Sequence, residues 1–332
     1  MNARYECMLY ELPAGLQKAI CSKAMQRIGS VDMNCGMNYT SYPLFAHIPP
    51  YSRLEHSIGT AWILWKTAHD LTLSYAGLFH DIASPVFSHV IDFLNGDYET
   101  QESTEALTGS LIEHSRELCA ILEEESIPVS AVEDYHQYPL ADNPSMQLNA
   151  DRLEYTLGNM IHYQFAEEEL AGKFLEDLSI QQDERGNPEY GFRTEERCLQ
   201  FGMLALKCSR VYSAPEDRYG MERLARLLKH ALQEGVLTRK DFMTAEPEVI
   251  AKLKQGGLKR EWEAFTALHE LEFSDHGTEA EGWLKVSCKK RMIDPLINGI
   301  RLSRKEESFR QALEEYRRES FEIYMREKSE YE

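Results

Sequence analysis

Residues 52–71, SRLEHSIGTAWILWKTAHDL, and residues 71–94, LTLSYAGLFHDIASPVFSHVIDFL, decide the fold. The first reads as a helix beginning near Ser52, and its middle is apolar nearly all round. Such a helix belongs at the centre of a core, so the polar groups it carries inward, His56 among them, need partners there. The second segment is again largely apolar, and Pro85 predicts a break or kink just after His80 and Asp81. Trp62 and Trp65 are read as packing residues.

A third segment, NADRLEY (149–155), brings Asp151. His56, His80, Asp81 and Asp151 therefore sit on three segments, each otherwise apolar. Unpaired in a core, such groups would cost several kcal/mol, and a divalent cation bound by neutral imidazoles and carboxylates offsets that cost. A lone core histidine is usually a hydrogen-bonded structural residue. The residues alone leave a metal site and a hydrogen-bonded cluster both open.

Working outward, residues 14–28 (AGLQKAICSKAMQRI) space Leu16, Ile20, Ala24 and Ile28 as one helix with an inward stripe. Gly36, Pro43, Pro49 and Pro50 make 29–52 irregular. Residues 102–126, 146–180 and 193–235 read as further helices. A charged terminal helix over 309–325 puts Phe309, Leu313, Tyr316 and Ile323 on one face and offers a surface for a homo-oligomer. The turn-rich QQDERGNPEYGF (181–192) divides a core over 1–180 from a mostly helical region over 181–332, and alternation around Val286 and Cys288 in 283–296 predicts one short strand. The expected fold class is all-α.

With 55 acidic and 36 basic residues among 332, the formal charge is -19, which disfavours duplex nucleic acid and anionic membranes as partners. A small phosphorylated substrate stays open, because a cleft with a metal and a few cations sets its own potential. The seven scattered cysteines form no CxxC pair and fit a reducing compartment. No run approaches the ~20 apolar residues of a membrane span, so a cytoplasmic location is expected.

SRLEHSIGT (52–60), GLFHDIASPVFSHVID (77–92) and NADRLEY resemble, in order and separation, the three signatures of the HD phosphohydrolase superfamily. They look most like its deoxynucleoside triphosphate triphosphohydrolase branch. The resemblance covers about residues 27–160, and only in outline 181–296. It implies an HD-domain helical core, with His56, His80, Asp81 and Asp151 at the four positions that hold one divalent ion (Mn, Fe, Co, Ni or Zn). It also implies that Asp81 orients the attacking water, and that Arg152 and Tyr155 touch substrate phosphates. Arg53, three residues before His56 on the same helix face, is a further candidate for a phosphate oxygen, against a surface salt bridge.

The departures matter as much. Ser84 and Gln101 stand where triphosphohydrolase relatives carry a catalytic histidine pair, which argues against a dinuclear site and removes the obvious general acid. Gln101 is counted with the substrate contacts, and His89 and Glu102 with the catalytic candidates. Asp97, Glu99 and His136 are further polar candidates. The expected function is metal-dependent hydrolysis of a nucleotide or other small phosphate ester; the alternative is a noncatalytic regulatory protein that binds metal and nucleotide.

Overall fold

The computed structural model describes residues 1–95 and 107–328. Asp97, Glu99, Gln101 and Glu102 lie outside the described residues. In chain order come α1 (Ala3–Glu11), α2 (Ala14–Ile20), α3 (Lys23–Arg27), α4 (Arg53–Ala68), α5 (Leu71–Phe79), α6 (Val90–Asn95), α7 (Thr108–His114), α8 (Arg116–Glu124), α9 (Ala150–His162) and α10 (Glu168–Asp177). A hairpin of β1 (Leu178–Gln182) and β2 (Pro188–Phe192) precedes α11 (Glu195–Tyr212), α12 (Pro215–Gln233), α13 (Glu246–Gln255) and α14 (Lys259–Thr266). The chain then runs through β3 (Leu271–Ser274), β4 (Leu296–Ile297), β5 (Ile300–Arg301), α15 (Leu302–Lys305), α16 (Glu307–Arg318) and β6 (Tyr324–Glu327).

Helix α4 is the central element. Ser52 accepts from the Glu55 amide while the Glu55 side chain accepts from the Ser52 amide, a reciprocal cap that fixes the first turn. Every residue from Arg53 to Ala61 is buried. Both α5 and α9 pack against α4. Each is started by its own cap, Asp70 accepting from Leu73 and Asn149 from Arg152. These three helices bring the three signature segments together.

The all-α expectation needs correction, because the helical body carries two small sheets. One runs β1-β2-β4-β5 and the other pairs β3 with β6. The turn-rich stretch after 180 is a hairpin turn, in which Asp183 accepts from the amides of Arg185 and Asn187 at 2.8 Å each and Gly186 takes φ 85°. Within 283–301 the chain makes isolated bridges from Leu284 to Met325 of β6 and from Ile293 to Met146, and the short hairpin of β4 and β5; Val286 and Cys288 lie in no strand. Asn298 and Gly299 both adopt positive φ (52° and 74°) there and turn β4 into β5.

Two helices also differ from expectation. Residues 14–28 break at Cys21, because Ser22 caps a new helix by accepting from Met25. The terminal helix stops at Arg318, where Lys290 Nζ reaches the carbonyls of Tyr316 (3.1 Å) and Arg317 (2.8 Å). Ile323 thus lies outside it, and the chain continues into β6 against β3. No helix among the described residues is long and apolar enough to cross a membrane.

Two apolar clusters hold residues from both sides of position 180. One joins Met37, Phe45 and Phe87 to Leu224, Leu228 and Trp262, and the other joins Leu64, Leu153 and Leu157 to Phe192, Phe201 and Phe309. A buried polar tie reinforces the first. Glu246, at the start of α13, accepts from the amides of Asp32 (3.0 Å) and Phe87 (3.2 Å) and from the Tyr39 hydroxyl (2.8 Å). Phe87 and the following Ser88 both have positive φ (59° and 49°), so Glu246 secures a strained elbow on the way to His89.

Burial, reinforced by the charge of Asp32, pushes Glu246 up to about 7 despite these donors. A carboxyl raised on folding contributes stability that is complete below its unfolded value and lost as pH rises through the folded one. Unfolding free energy should therefore fall between about pH 4.5 and 7, by roughly 3 kcal/mol at most. In Glu246→Gln that component should vanish, leaving the variant at least as stable as wild type above pH 7. Urea denaturation at several pH values checks this, and an equal loss in the variant at every pH would contradict it.

Candidate metal centre

His56 lies in the first turns of α4 and His80 follows the last residue of α5. Each imidazole is oriented through its Nδ1. That of His80 donates to the Gly77 carbonyl at 2.7 Å, and that of His56 donates to Glu154 Oε2 at 2.6 Å. With both protons on Nδ1, both Nε2 atoms present lone pairs, and they face each other 3.1 Å apart. Asp151 Oδ1 lies 3.0 Å from the His56 Nε2 and 3.7 Å from that of His80. Two lone pairs and an anionic oxygen at such separations repel unless a proton or a cation lies among them.

Bonds of about 2.0–2.2 Å from one ion to imidazole nitrogen and carboxylate oxygen span donor separations of this size. The three donor atoms, which lie within 4.8 Å of one another, therefore fit a divalent ion. Asp81 Oδ2 stands 3.6 Å from His80 Nε2 and 3.8 Å from His56 Nε2. Its carboxylate also accepts from Arg53 NH1 at 2.8 and 3.1 Å and from Ser84 Oγ at 2.8 Å. Ser84, where a histidine was expected by resemblance, thus serves to orient Asp81.

The electrostatics agree with a seat for positive charge. Burial opposes an imidazolium at His56, but hydrogen bonds to Asp151 and Glu154 push it up to about 10. Burial also opposes ionisation of Asp81 and Asp151. Arg53 and the imidazoles nevertheless hold Asp81 well below the usual carboxylate range, and His56 lowers Asp151 to about 2.

The other expected residues take less uniform positions. Arg53 is buried and engaged with Asp81, and its Nε donates to Ser88 Oγ at 3.0 Å. Arg152 staples the loop before α9. Its NH1 donates to Asn143 Oδ1 (2.5 Å) and the Gln147 carbonyl (2.9 Å), and its NH2 to the Asn143 carbonyl (2.6 Å). Tyr155, one turn beyond Asp151, sets its ring 6.4 Å from that of His56. His89 faces the same pocket, with Nε2 3.3 Å from Arg291 NH2. Guanidinium only donates, so that contact makes Nε2 an acceptor.

These groups line a pocket of about 560 Å³ with the candidate ligands among its walls. Sequence reasoning passed over Glu154, behind His56, and two residues of the pocket's walls, Arg291 and Asp217. Glu154 sits three residues after Asp151 within the quoted NADRLEY, a spacing that shares a helix face and could have flagged it. Arg291 and Asp217 carry no such local signal. Asp217 is pushed up to about 8 by burial, against the lowering charges of Arg291 and Arg218. At the rim, His136 Nδ1 lies 2.7 Å from Asp142 Oδ2.

Residues 53–151, from Arg53 to Asp151, match the HD domain family. The chain is 27% identical over 255 residues to YdhJ, an uncharacterized protein of Bacillus subtilis, with 74% of each chain covered. It is 27% identical over 259 residues to metal-dependent phosphohydrolase cns2 of Cordyceps militaris, covering 74% of this chain and 71% of that one. The crystal structure of a phosphohydrolase from Bacteroides thetaiotaomicron superposes with a TM-score of 0.64, covering 96% of this chain and 97% of the other. At 14% identity that likeness is one of fold. The match over residues 53–151 thus marks an HD domain within the chain, and the two relatives are similar to it well beyond that segment.

Proposed function

We propose that the protein is a metal-dependent phosphohydrolase acting on a nucleotide or another small phosphate ester. The observation that carries this reading is the convergence of two imidazole lone pairs and a carboxylate oxygen, 3.0–3.7 Å apart, on a pocket of about 560 Å³. Pockets of roughly 300–1,000 Å³ accept ligands of nucleotide size. A divalent ion held by His56, His80 and Asp151, with Asp81 beside it, would lower the pKa of a bound water and polarise a phosphoryl oxygen.

The chain's own residues then divide the work. Asp81, kept ionised by Arg53 and turned by Ser84, orients the attacking water. Arg53 acts through Asp81. Arg152 shapes the pocket wall by holding residues 143–147. Arg291, which contacts His89 and belongs to a distant stretch of chain, supplies a cation for phosphate oxygens, and Tyr155 gives the substrate a ring to lie against.

For the leaving oxygen the geometry favours His136 over His89. Its Nδ1 is held by Asp142, which also accepts from Asn149 Nδ2 at 2.8 Å. The Tyr135 ring, 5.1 Å from that of His80 and 4.4 Å from that of His136, places this pair one aromatic layer from the centre. An imidazole oriented by a carboxylate is suited to proton donation near neutral pH.

Phosphate release from a panel of nucleotides and sugar phosphates, with manganese, cobalt or iron added, tests the activity. Wild type should turn over at least one class, and His80→Ala and Asp151→Asn should not. Stoichiometric metal with no turnover across the panel would instead favour a regulatory binding protein. Arg291→Ala should raise KM about 10- to 100-fold at unchanged metal content, the range for losing a charge-assisted hydrogen bond. His136→Asn should lower kcat by about 10²-fold or more on poor leaving groups and far less on a p-nitrophenyl ester, which needs no proton. Equal losses on both esters would remove His136 from that role.

A further inference from the structure

Glu154 is completely buried between α4 and α9, at 0% exposure, and three side chains converge on it. Its Oε2 accepts from His56 Nδ1 at 2.6 Å and from the Tyr51 hydroxyl, and its Oε1 accepts from the Tyr5 hydroxyl at 2.9 Å. Tyr5 comes from α1, and Tyr51 directly precedes the residue that caps α4. Their rings stack 5.8 Å apart at 16°, and His162 of α9 stacks on Tyr51 at 4.6 Å and 10°. The carboxylate that orients His56 is therefore itself fixed from the far side by a packed aromatic group.

Two glycines give this arrangement its room. A Cβ on Gly59 would lie 2.5 Å from Glu154 Oε1 and 2.6 Å from its Cγ, and one on Gly158 would lie 2.6 Å from the Tyr51 hydroxyl and 2.7 Å from its Cζ. Both glycines are inside helices, where each costs about 1 kcal/mol relative to alanine. The threatened atoms are a ring and a clamped carboxylate, neither able to swing aside. Helix propensity is given up at two positions so that Glu154 and Tyr51 can occupy the α4–α9 interface.

A carboxylate oxygen that accepts the Nδ1 proton of an imidazole fixes the ring's tautomer and orientation and makes its far nitrogen a stronger donor to a cation. Removing such a partner typically weakens metal binding 10- to 100-fold. We propose that Glu154, fixed by Tyr5 and Tyr51, is a positioning residue that sets how tightly His56 holds the metal, with Gly59 as the clearance it requires. The inference rests on the metal reading of His56, His80 and Asp151.

The test is a titration of the chelator-stripped full chain with cobalt(II), read by its visible d–d absorption and by equilibrium affinity, for wild type, Glu154→Gln, Tyr5→Phe and Gly59→Ala. Thermal unfolding in chelator reports the fold without metal. Wild type should bind one ion per chain. Glu154→Gln should bind about 10- to 100-fold more weakly, with an altered spectrum, beyond any change in its metal-free stability. Tyr5→Phe and Gly59→Ala should weaken binding in the same direction. A folded Glu154→Gln with wild-type affinity and spectrum would overturn the inference and leave the centre standing. Failure of wild type to bind cobalt would overturn the metal reading itself. Should Glu154→Gln not fold, Tyr5→Phe, which loses a single oxygen, decides the matter: unchanged affinity there overturns the inference.

Discussion

Two imidazole Nε2 atoms 3.1 Å apart in the interior, with an Asp151 oxygen beside them, set the terms for the surrounding structure. They require a proton or a cation among them. The arrangement holds because each ring is locked from behind, His80 by the Gly77 carbonyl and His56 by Glu154. Those locks need backbone that cannot shift, which reciprocal capping at Ser52 and close packing of α5 and α9 on α4 provide. A cation is the natural completion of a site whose neighbours already favour positive charge.

From that centre the polar structure spreads outward in layers. Asp81 is held between Arg53 and Ser84, Arg53 leans on Ser88, and Ser88 donates to the Asp32 carbonyl at 3.3 Å. The Asp32 and Phe87 amides end on Glu246, from a helix more than a hundred residues further on. The elbow at Phe87 and Ser88, in a backbone conformation that costs non-glycine residues free energy, persists because both ends are tied. Part of what fixes the HD segment is thus contributed by the C-terminal half of the chain.

That half also supplies the pocket's far wall. Two arginines of the HD segment, Arg53 and Arg152, spend their hydrogen bonds on internal partners. Arg291 and Asp217 enter the pocket from an irregular segment and from α12. The net charge of -19 is no obstacle, because field within a cleft depends on the few groups lining it.

The central buried helix and the ionisable residues that meet at the centre were legible in the sequence, because periodicity and capping are local properties. The break expected after His80 and Asp81 falls one residue before His80, at the end of α5. His56, His80 and Asp151 could be brought to one place from three short segments, and the Asn298-Gly299 turn was equally readable, though it was passed over. What tertiary packing added is a third arginine, Arg291, in the pocket's wall. Arg53 and Arg152 line the pocket too, each also holding an internal partner, Asp81 for the one and the 142–147 loop for the other. Arg291 joins His89 across 202 residues of chain, and Tyr5 joins Glu154 across 149. Such pairings arise from the packing of whole elements, and no local pattern of residues encodes them.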